Sequence, residues 1–286
     1  MKQQFRKITT ISLLLLATSA LSAQNNRHEI VLYAGGGLSS LKYNATIGKQ
    51  RDGLGGQIGL GYNFFFIPNL GIKTGVEFSL HNASFTLDHF DFQHDATDIE
   101  NSPFEFRCTL NNYKERQSLV MLQIPLMLQF QIGDKHQFYA AAGGKVGFPL
   151  SAKYNSSKIA IYNSGYYEEE DCEYTTQLFM GFGQFSGSSG NLKFKTAFFA
   201  SAEIGVKWMM KGEYSFYTGL YMDYGLNNIV KPRSEPLQFL EYNTDHPSDF
   251  TVNSIIESKY LQNTELELFT NKIIPITAGI KLILAF

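Results

Sequence analysis

Apolar and polar residues alternate along this chain in unusually long runs. From Glu29 onward eight segments carry the pattern: 29–43, 53–67, 71–87, 116–132, 136–154, 192–210, 214–228 and 270–286. A period of two sustained this long predicts strand rather than helix. Many of the runs exceed the roughly 5–6 residues of soluble strands. They suit tilted membrane strands, whose spanning part takes about 9–11 residues.

The connections sharpen that expectation. Three are short turns, Pro68-Asn69-Leu70, Gly133-Asp134-Lys135 and Lys211-Gly212-Glu213, built from turn-forming residues. The other four, 44–52, 88–115, 155–191 and 229–269, are longer, and short alternates with long throughout. An up-and-down outer-membrane barrel has this layout, with tight periplasmic turns, long outer loops and both termini periplasmic. The pattern therefore predicts an all-β, eight-stranded antiparallel up-and-down transmembrane β-barrel. A secreted β-sandwich would not require the alternation of loop lengths.

Parity within the strands sorts the side chains. In the last segment Ile274, Ile276, Ile280, Leu282, Leu284 and Phe286 share one face, and Thr277, Gly279 and Lys281 share the other. Segments two to seven repeat the contrast, and the polar face is small and glycine-rich. Its charges are four bases, Lys73, Lys145, Lys207 and Lys281, and three acids, Glu77, Glu203 and Asp223. A basic residue at the bilayer midplane costs about 2–4 kcal/mol on the lipid face. An unpaired buried charge is also costly, and the near balance of signs suits a closed interior. These seven are expected to point inward as a salt-bridged plug. Phe64, Phe65, Phe66, Phe138, Tyr139, Trp208, Phe216, Tyr217 and Phe286 lie near the short-turn ends, where an aromatic girdle would meet the membrane interface.

Composition agrees with β structure: 44% hydrophobic, 14% aromatic, 25 glycines and only 17% charged residues. The first residues read as an address. Lys2, Arg6 and Lys7 precede the apolar run ITTISLLLLA and then small residues, which predicts a secretory signal peptide over 1–23. Cleavage after Ala23 is expected, with Ser22 the alternative, leaving 24–286 as the barrel domain. Removing those three bases leaves 21 Lys+Arg against 26 Asp+Glu, a net charge near −5. An acidic exported chain is a poor partner for nucleic acid.

The stretch MLQIPLMLQF, 121–130, interrupts an apolar strand with Gln123, Ile124 and Pro125. In this it resembles the PorT-type outer-membrane β-barrel family, whose small barrels are OmpA-like. The next strand, FYAAAGGKVGFPLSAKY, is similar as well. The aromatic Phe286 resembles the insertion signal that outer-membrane barrels present to the barrel-assembly machinery. The resemblance implies an outer-membrane barrel surrounded by lipid, and no single activity.

Candidate chemistry is sparse. Cys108 and Cys172 fall in two long loops on the oxidising side of the envelope, where they could form a disulfide. His89, Asp91, His94, Asp95 and Asp98 share a loop, and Glu168–Asp171 forms an acidic tip. Both read as solvated loop rather than as metal sites. His81, His89, Asp88 and Asp223 are the rim candidates for catalysis, but no nucleophile is marked beside a base. The sequence thus predicts a non-enzymatic barrel without cofactor or metal, displaying acidic outer loops to an envelope or secretion partner or to an external ligand. A narrow pore or transport-related outer-membrane protein is the alternative, and a rim-active outer-membrane enzyme the lesser one.

Overall fold

The computed structural model describes residues 27–286 apart from 158, 177–178, 186, 211–213, 232–234, 236, 246–249 and 263–264. The segment expected to be a signal peptide, 1–23, and the turn at 211–213 lie outside the described residues. The fold is all-β. Its long strands are β1 (His28–Lys42), β2 (Lys49–Ile67), β3 (Leu70–Thr97), β4 (Pro103–Ile132), β5 (His136–Ser156), β6 (Ala197–Met209), β7 (Ser215–Gly225) and β8 (Ile274–Ala285). Each is antiparallel to its neighbours in sequence, and β8 pairs with β1 from Val31↔Ala285 to Lys42↔Ile274.

Seventeen strands occur among the described residues, and those beyond the eight long ones lie in the connections. The connection expected at 88–115 is mostly paired backbone. β3 runs on to Thr97 and β4 begins at Pro103, in continuous register from Leu70↔Phe130 to Thr97↔Pro103. The third long connection holds strands Ile159–Tyr167, Cys172–Tyr174, Gly181–Phe185 and Ser189–Asn191. The fourth holds Leu237–Gln238, Leu240–Tyr242, Phe250–Val252, Ser258–Gln262 and Glu265–Leu268. These polar stretches fold because they carry enough Phe, Tyr, Ile and Leu to build a core of their own.

The side chains change solvent along β3. Lys73, Glu77, Ser79 and His81 are buried on the inside, while Val76, Phe78 and Leu80 stand exposed on the outside. Two residues further, without a break in parity, the buried positions become Ala83, Phe85 and Leu87. On β4 the buried Gln123 and Gln129 give way likewise to Met121 and Leu119, and the outer face turns from Leu122 and Val120 to Ser118, Arg116 and Lys114. The lower belt is thus apolar outside and polar inside; the upper part is the reverse.

Higher still, the β3–β4 hairpin bends. Register Leu87↔Tyr113 resumes at His89↔Asn111, and Asn112 adopts a left-handed φ of 59°. Asparagine tolerates that region better than most residues. Parity flips there, so Phe92, Phe104, Phe106, Cys108 and Leu110 now face inward. They join Phe239, Leu240, Ile255, Ile256, Tyr260 and Phe269 of the fourth connection in one buried cluster. The long-loop end is therefore a packed cap rather than a set of separate loops.

Candidate functional site

The inward charges meet at mid-height of the long strands. Lys145 on β5 donates to Glu77 on β3 at 2.7 Å and to Asp223 on β7 at 2.9 Å. Lys281 on β8 donates to Glu203 on β6 at 2.6 Å and lies 3.9 Å from Glu77. Lys73 completes the set by pairing with Glu203. Tyr33 donates to Glu77 at 2.9 Å, and its ring faces the Lys281 ammonium at 3.9 Å. None of these six charged side chains is more than 3% exposed. Three bases and three acids neutralise one another across the interior, which offsets the desolvation that a lone buried charge would suffer.

The seventh charge, Lys207, is separate. It pairs with Glu29, which also accepts from Tyr217 at 2.6 Å and Asn63 at 3.0 Å. Glu29 is an acid of this lower set that sequence reasoning missed. It shares parity with the buried Val31 and Tyr33 on β1, and the same period-two count would have placed it inside. Including it, the charges within the apolar belt number four bases and four acids. Near the same end, Tyr139 lies across Gly205 and Gly219. A Cβ on Gly219 would sit 2.3 Å from the Tyr139 hydroxyl, so only glycine admits that ring.

A second polar centre joins the cap to the barrel wall. Glu115 on β4 is fully buried. Its carboxylate accepts from Tyr113 at 2.7 Å, Gln117 at 2.8 Å, the Ser254 hydroxyl at 2.7 Å and the Ile255 amide at 3.1 Å. All four partners are neutral donors. Burial pushes the Glu115 carboxyl above the usual carboxylate range, and the hydrogen bonds oppose that shift only in part. Two of the donors belong to the fourth connection, so one carboxylate fixes that segment over the mouth of the strands.

Several expectations require correction. Cys108 and Cys172 are free thiols. The strand Ile159–Tyr167 runs between Cys108 on β4 and the strand that holds Cys172. Two strand spacings are about 10 Å, beyond the reach of a disulfide. Cys108 is also buried, with its thiol pushed up to about 12 by desolvation. Of the aromatics expected in a girdle, Phe65, Tyr139 and Tyr217 are buried inside, because parity outranks position along the strand. Phe66, Phe138, Trp208 and Phe286 do stand exposed. The Phe286 ring packs edge-on to Tyr214 at 5.4 Å, and its backbone bonds Ile30 in both directions.

The loop histidines part company. His94 faces inward against Phe92 and Phe106, whereas His89 is exposed and bonded to Asn111 at 2.8 Å. Among the described residues no three His, Cys, Asp or Glu side chains converge in a way that could hold a metal. The rim candidates are dispersed too. His81 is buried beside Ser79 and stacked on Phe199, Asp223 belongs to the Lys145 network, and Asp88 is exposed near Lys49.

The family model of the outer membrane protein beta-barrel domain matches residues 3–231. The chain belongs to that family and is an outer-membrane β-barrel protein. No curated protein matches the sequence. Among solved structures, Ail, the attachment invasion locus protein of Yersinia pestis, is similar in two forms. Its complex with the heparin analogue sucrose octasulfate is 11% identical, covering 91% of this chain and 99% of that one at a TM-score of 0.30. Ail alone is 10% identical, covering 91% and 96% at a TM-score of 0.25.

Proposed function

We propose that the eight long strands form a closed transmembrane barrel whose lumen is filled, and that the barrel serves as a platform for its cap. The supporting observation is the mutual neutralisation of Lys73, Lys145, Lys281, Glu77, Glu203 and Asp223 beneath an apolar core. A lumen of about eight strands is just wide enough for side chains. In this reading the signal segment exports the chain and the short turns and both termini face the periplasm. The exposed aromatics of the short-turn end lie at the inner interface. The acidic cap faces the cell exterior, where it meets an envelope partner or an external ligand. The role is read as non-enzymatic, because the hydroxyl and imidazole that do meet, Ser79 and His81 at 3.1 Å, are both buried in the interior.

Planar-bilayer recording of the purified protein tests the filled lumen. No steady ion current is expected. Sustained conductance would overturn the reading in favour of a narrow pore.

A further inference from the structure

Beyond the bend at Asp88 and Asn112, the β3–β4 hairpin extends into a broader sheet. Strand Ile159–Tyr167 pairs with β4, and Gly181–Phe185 and Cys172–Tyr174 pair with Ile159–Tyr167 in turn. One face of this sheet covers the cap core. The other carries successive cross-strand rows: Asp91, Thr109, Tyr162 and Phe182 in one, and Gln93, Arg107 and Ser164 in the next. A groove of about 180 Å³ lies on this outer face, lined by Asp91, Gln93, Arg107, Thr109, Tyr162 and Glu173 among others.

The groove is built rather than merely exposed. Thr109 donates to Asp91 at 2.7 Å, and Ser164, itself buried, donates to Glu173 at 2.6 Å. Arg107 pairs with Glu105 at 2.5 Å and Glu173 at 3.3 Å while its guanidinium covers the Tyr166 ring at 4.5 Å. The polar groups are thus held in fixed orientations with hydrogen-bonding capacity left over, because a carboxylate has about four acceptor sites and a guanidinium five N–H donors. Beside them Tyr162 is 39% exposed and Phe182 74% exposed. Neither ring is needed by the core, which lies on the opposite face.

Charge narrows the ligand. Asp91, Asp95, Glu105 and Glu173 outnumber Arg107 on this face, and Glu168, Glu169, Glu170 and Asp171 stand at its tip. A sulfated, phosphorylated or otherwise anionic ligand would be repelled. Planar carboxylate, amide and guanidinium groups around an exposed ring match a molecule with hydroxyls at its edge and C–H groups on its face. The groove is far smaller than the 300–1,000 Å³ or so of a drug-sized pocket, which suits a single ring.

We propose that this groove binds one ring of an uncharged saccharide. The proposal rests on the platform reading and gives that platform a ligand class. The saccharide could belong to the producing cell's own envelope or to a foreign surface; both present the same chemistry.

Isothermal titration of the full chain in detergent micelles tests it. The probes are neutral hexose oligosaccharides, polysaccharide purified from the producing cell's envelope, a sulfated oligosaccharide and a lysine-rich peptide. Saturable binding of a neutral probe is expected, and the two neutral arms separate the sources. Tyr162→Ala should weaken it by about tenfold, the scale of one aromatic contact, and Gln93→Ala should weaken it as well. Both variants should keep the heat-modifiable band of the folded barrel. Absence of binding to every neutral probe by folded protein overturns the proposal. So does binding of the sulfated probe as tight as the neutral one, or of the peptide at the same residues. Protease treatment of intact cells separates this failure from that of the platform. A cap that is cleaved from outside but binds no sugar loses only the saccharide. A cap that no external protease reaches loses the platform.

Discussion

Replacing Glu115 with alanine should release the cap while leaving the barrel intact. The carboxylate accepts four hydrogen bonds, and Gln117 alone among the donors keeps a second acceptor, the Tyr43 hydroxyl at 3.3 Å. Tyr113, Ser254 and the Ile255 amide would each be left donating to nothing in a buried site. At about 1 kcal/mol each, the low end for a stranded donor, the loss is about 3 kcal/mol. That makes local opening about a hundredfold more frequent, at 1.4 kcal/mol per factor of ten. Hydrogen exchange followed by mass spectrometry reads it directly. Amides of 252–260 should lose about a hundredfold in protection, and those of β8 should stay as they were. Unchanged exchange in the cap would refute the reasoning. Equal loss in cap and β8 would refute it too, because Glu115 would then support the whole fold. The pH dependence has a definite sign. Burial holds the Glu115 proton to higher pH than in the opened state, so between the two pKa values the closed state carries more protons. Stability then falls as pH rises through that window. Cap opening, corrected for intrinsic exchange, should increase above the ordinary carboxylate range, and Glu115→Gln should flatten the trend.

Three further outcomes follow from the geometry. Lys145→Met leaves Glu77 and Asp223 facing each other without the ammonium between them, which should cost about 3–5 kcal/mol. The urea midpoint of the heat-modifiable band should fall accordingly, and adding Glu77→Gln should restore part of it; an unshifted midpoint would refute the network. Gly219→Val should abolish the folded band, because the new Cβ meets the Tyr139 hydroxyl at 2.3 Å and the Ile204 carbonyl at 2.7 Å. Adding Tyr139→Ala should recover it only partly, since the carbonyl cannot move away. Folded protein in detergent should take up a maleimide at the partly exposed Cys172 and not at buried Cys108, with both labelled after unfolding. Uptake at neither cysteine without reductant would indicate a disulfide and refute the pairing around Ile159–Tyr167.

The strand core was legible in the sequence because a period of two is a strong signal when one face is uniformly apolar. It placed Lys281 inside from its neighbours Ile280 and Leu282 alone. The partners were not legible: Glu203, Glu77 and Asp223 all share the correct parity, and only the register of β6, β7 and β8 selects Glu203. Glu29 has the inward parity too, but it stands at the head of its strand, where an acid reads as an exposed end. The cap escaped for a different reason. Phe90, Phe92, Phe104, Phe106, Cys108 and Leu110 do alternate, but Asp88, His89, Asn111 and Asn112 interrupt the rhythm. Their polarity reads as loop when it marks a bend. Glu115 carries no signal at all, since its neighbours on both sides, Lys114 and Arg116, suggest a solvated stretch.

The alternation also carries a membrane boundary. On β3 the exposed apolar side begins at Leu70 and ends at Leu80; on β4 it runs from Ile132 to Val120. On β3, ten steps of about 3.3 Å make roughly 33 Å of strand. At a tilt near 40° that span is about 25 Å tall, the height of the apolar band of an outer-membrane barrel. Above it the same strands place Ser118, Arg116 and Lys114 outside and Phe85, Leu119 and Tyr113 inside, as a strand must when water replaces lipid around it. The inversion needs no change in backbone, because parity is preserved from Lys73 to Leu87; only the residue types exchange faces. The backbone changes later, at Asp88 and Asn112, where the flip of parity turns the apolar face of the hairpin over the mouth. Two separate signals therefore mark two separate events: exchange of residue types marks the exit from lipid, and loss of parity marks the start of the cap. A charge moved across the first boundary tests the division. Val76→Arg lies at mid-belt and should cost about 2–4 kcal/mol, whereas Ser84→Arg, further along the same face and above the belt, should cost about 0–1 kcal/mol. Comparable urea midpoints for the two variants would place the boundary elsewhere.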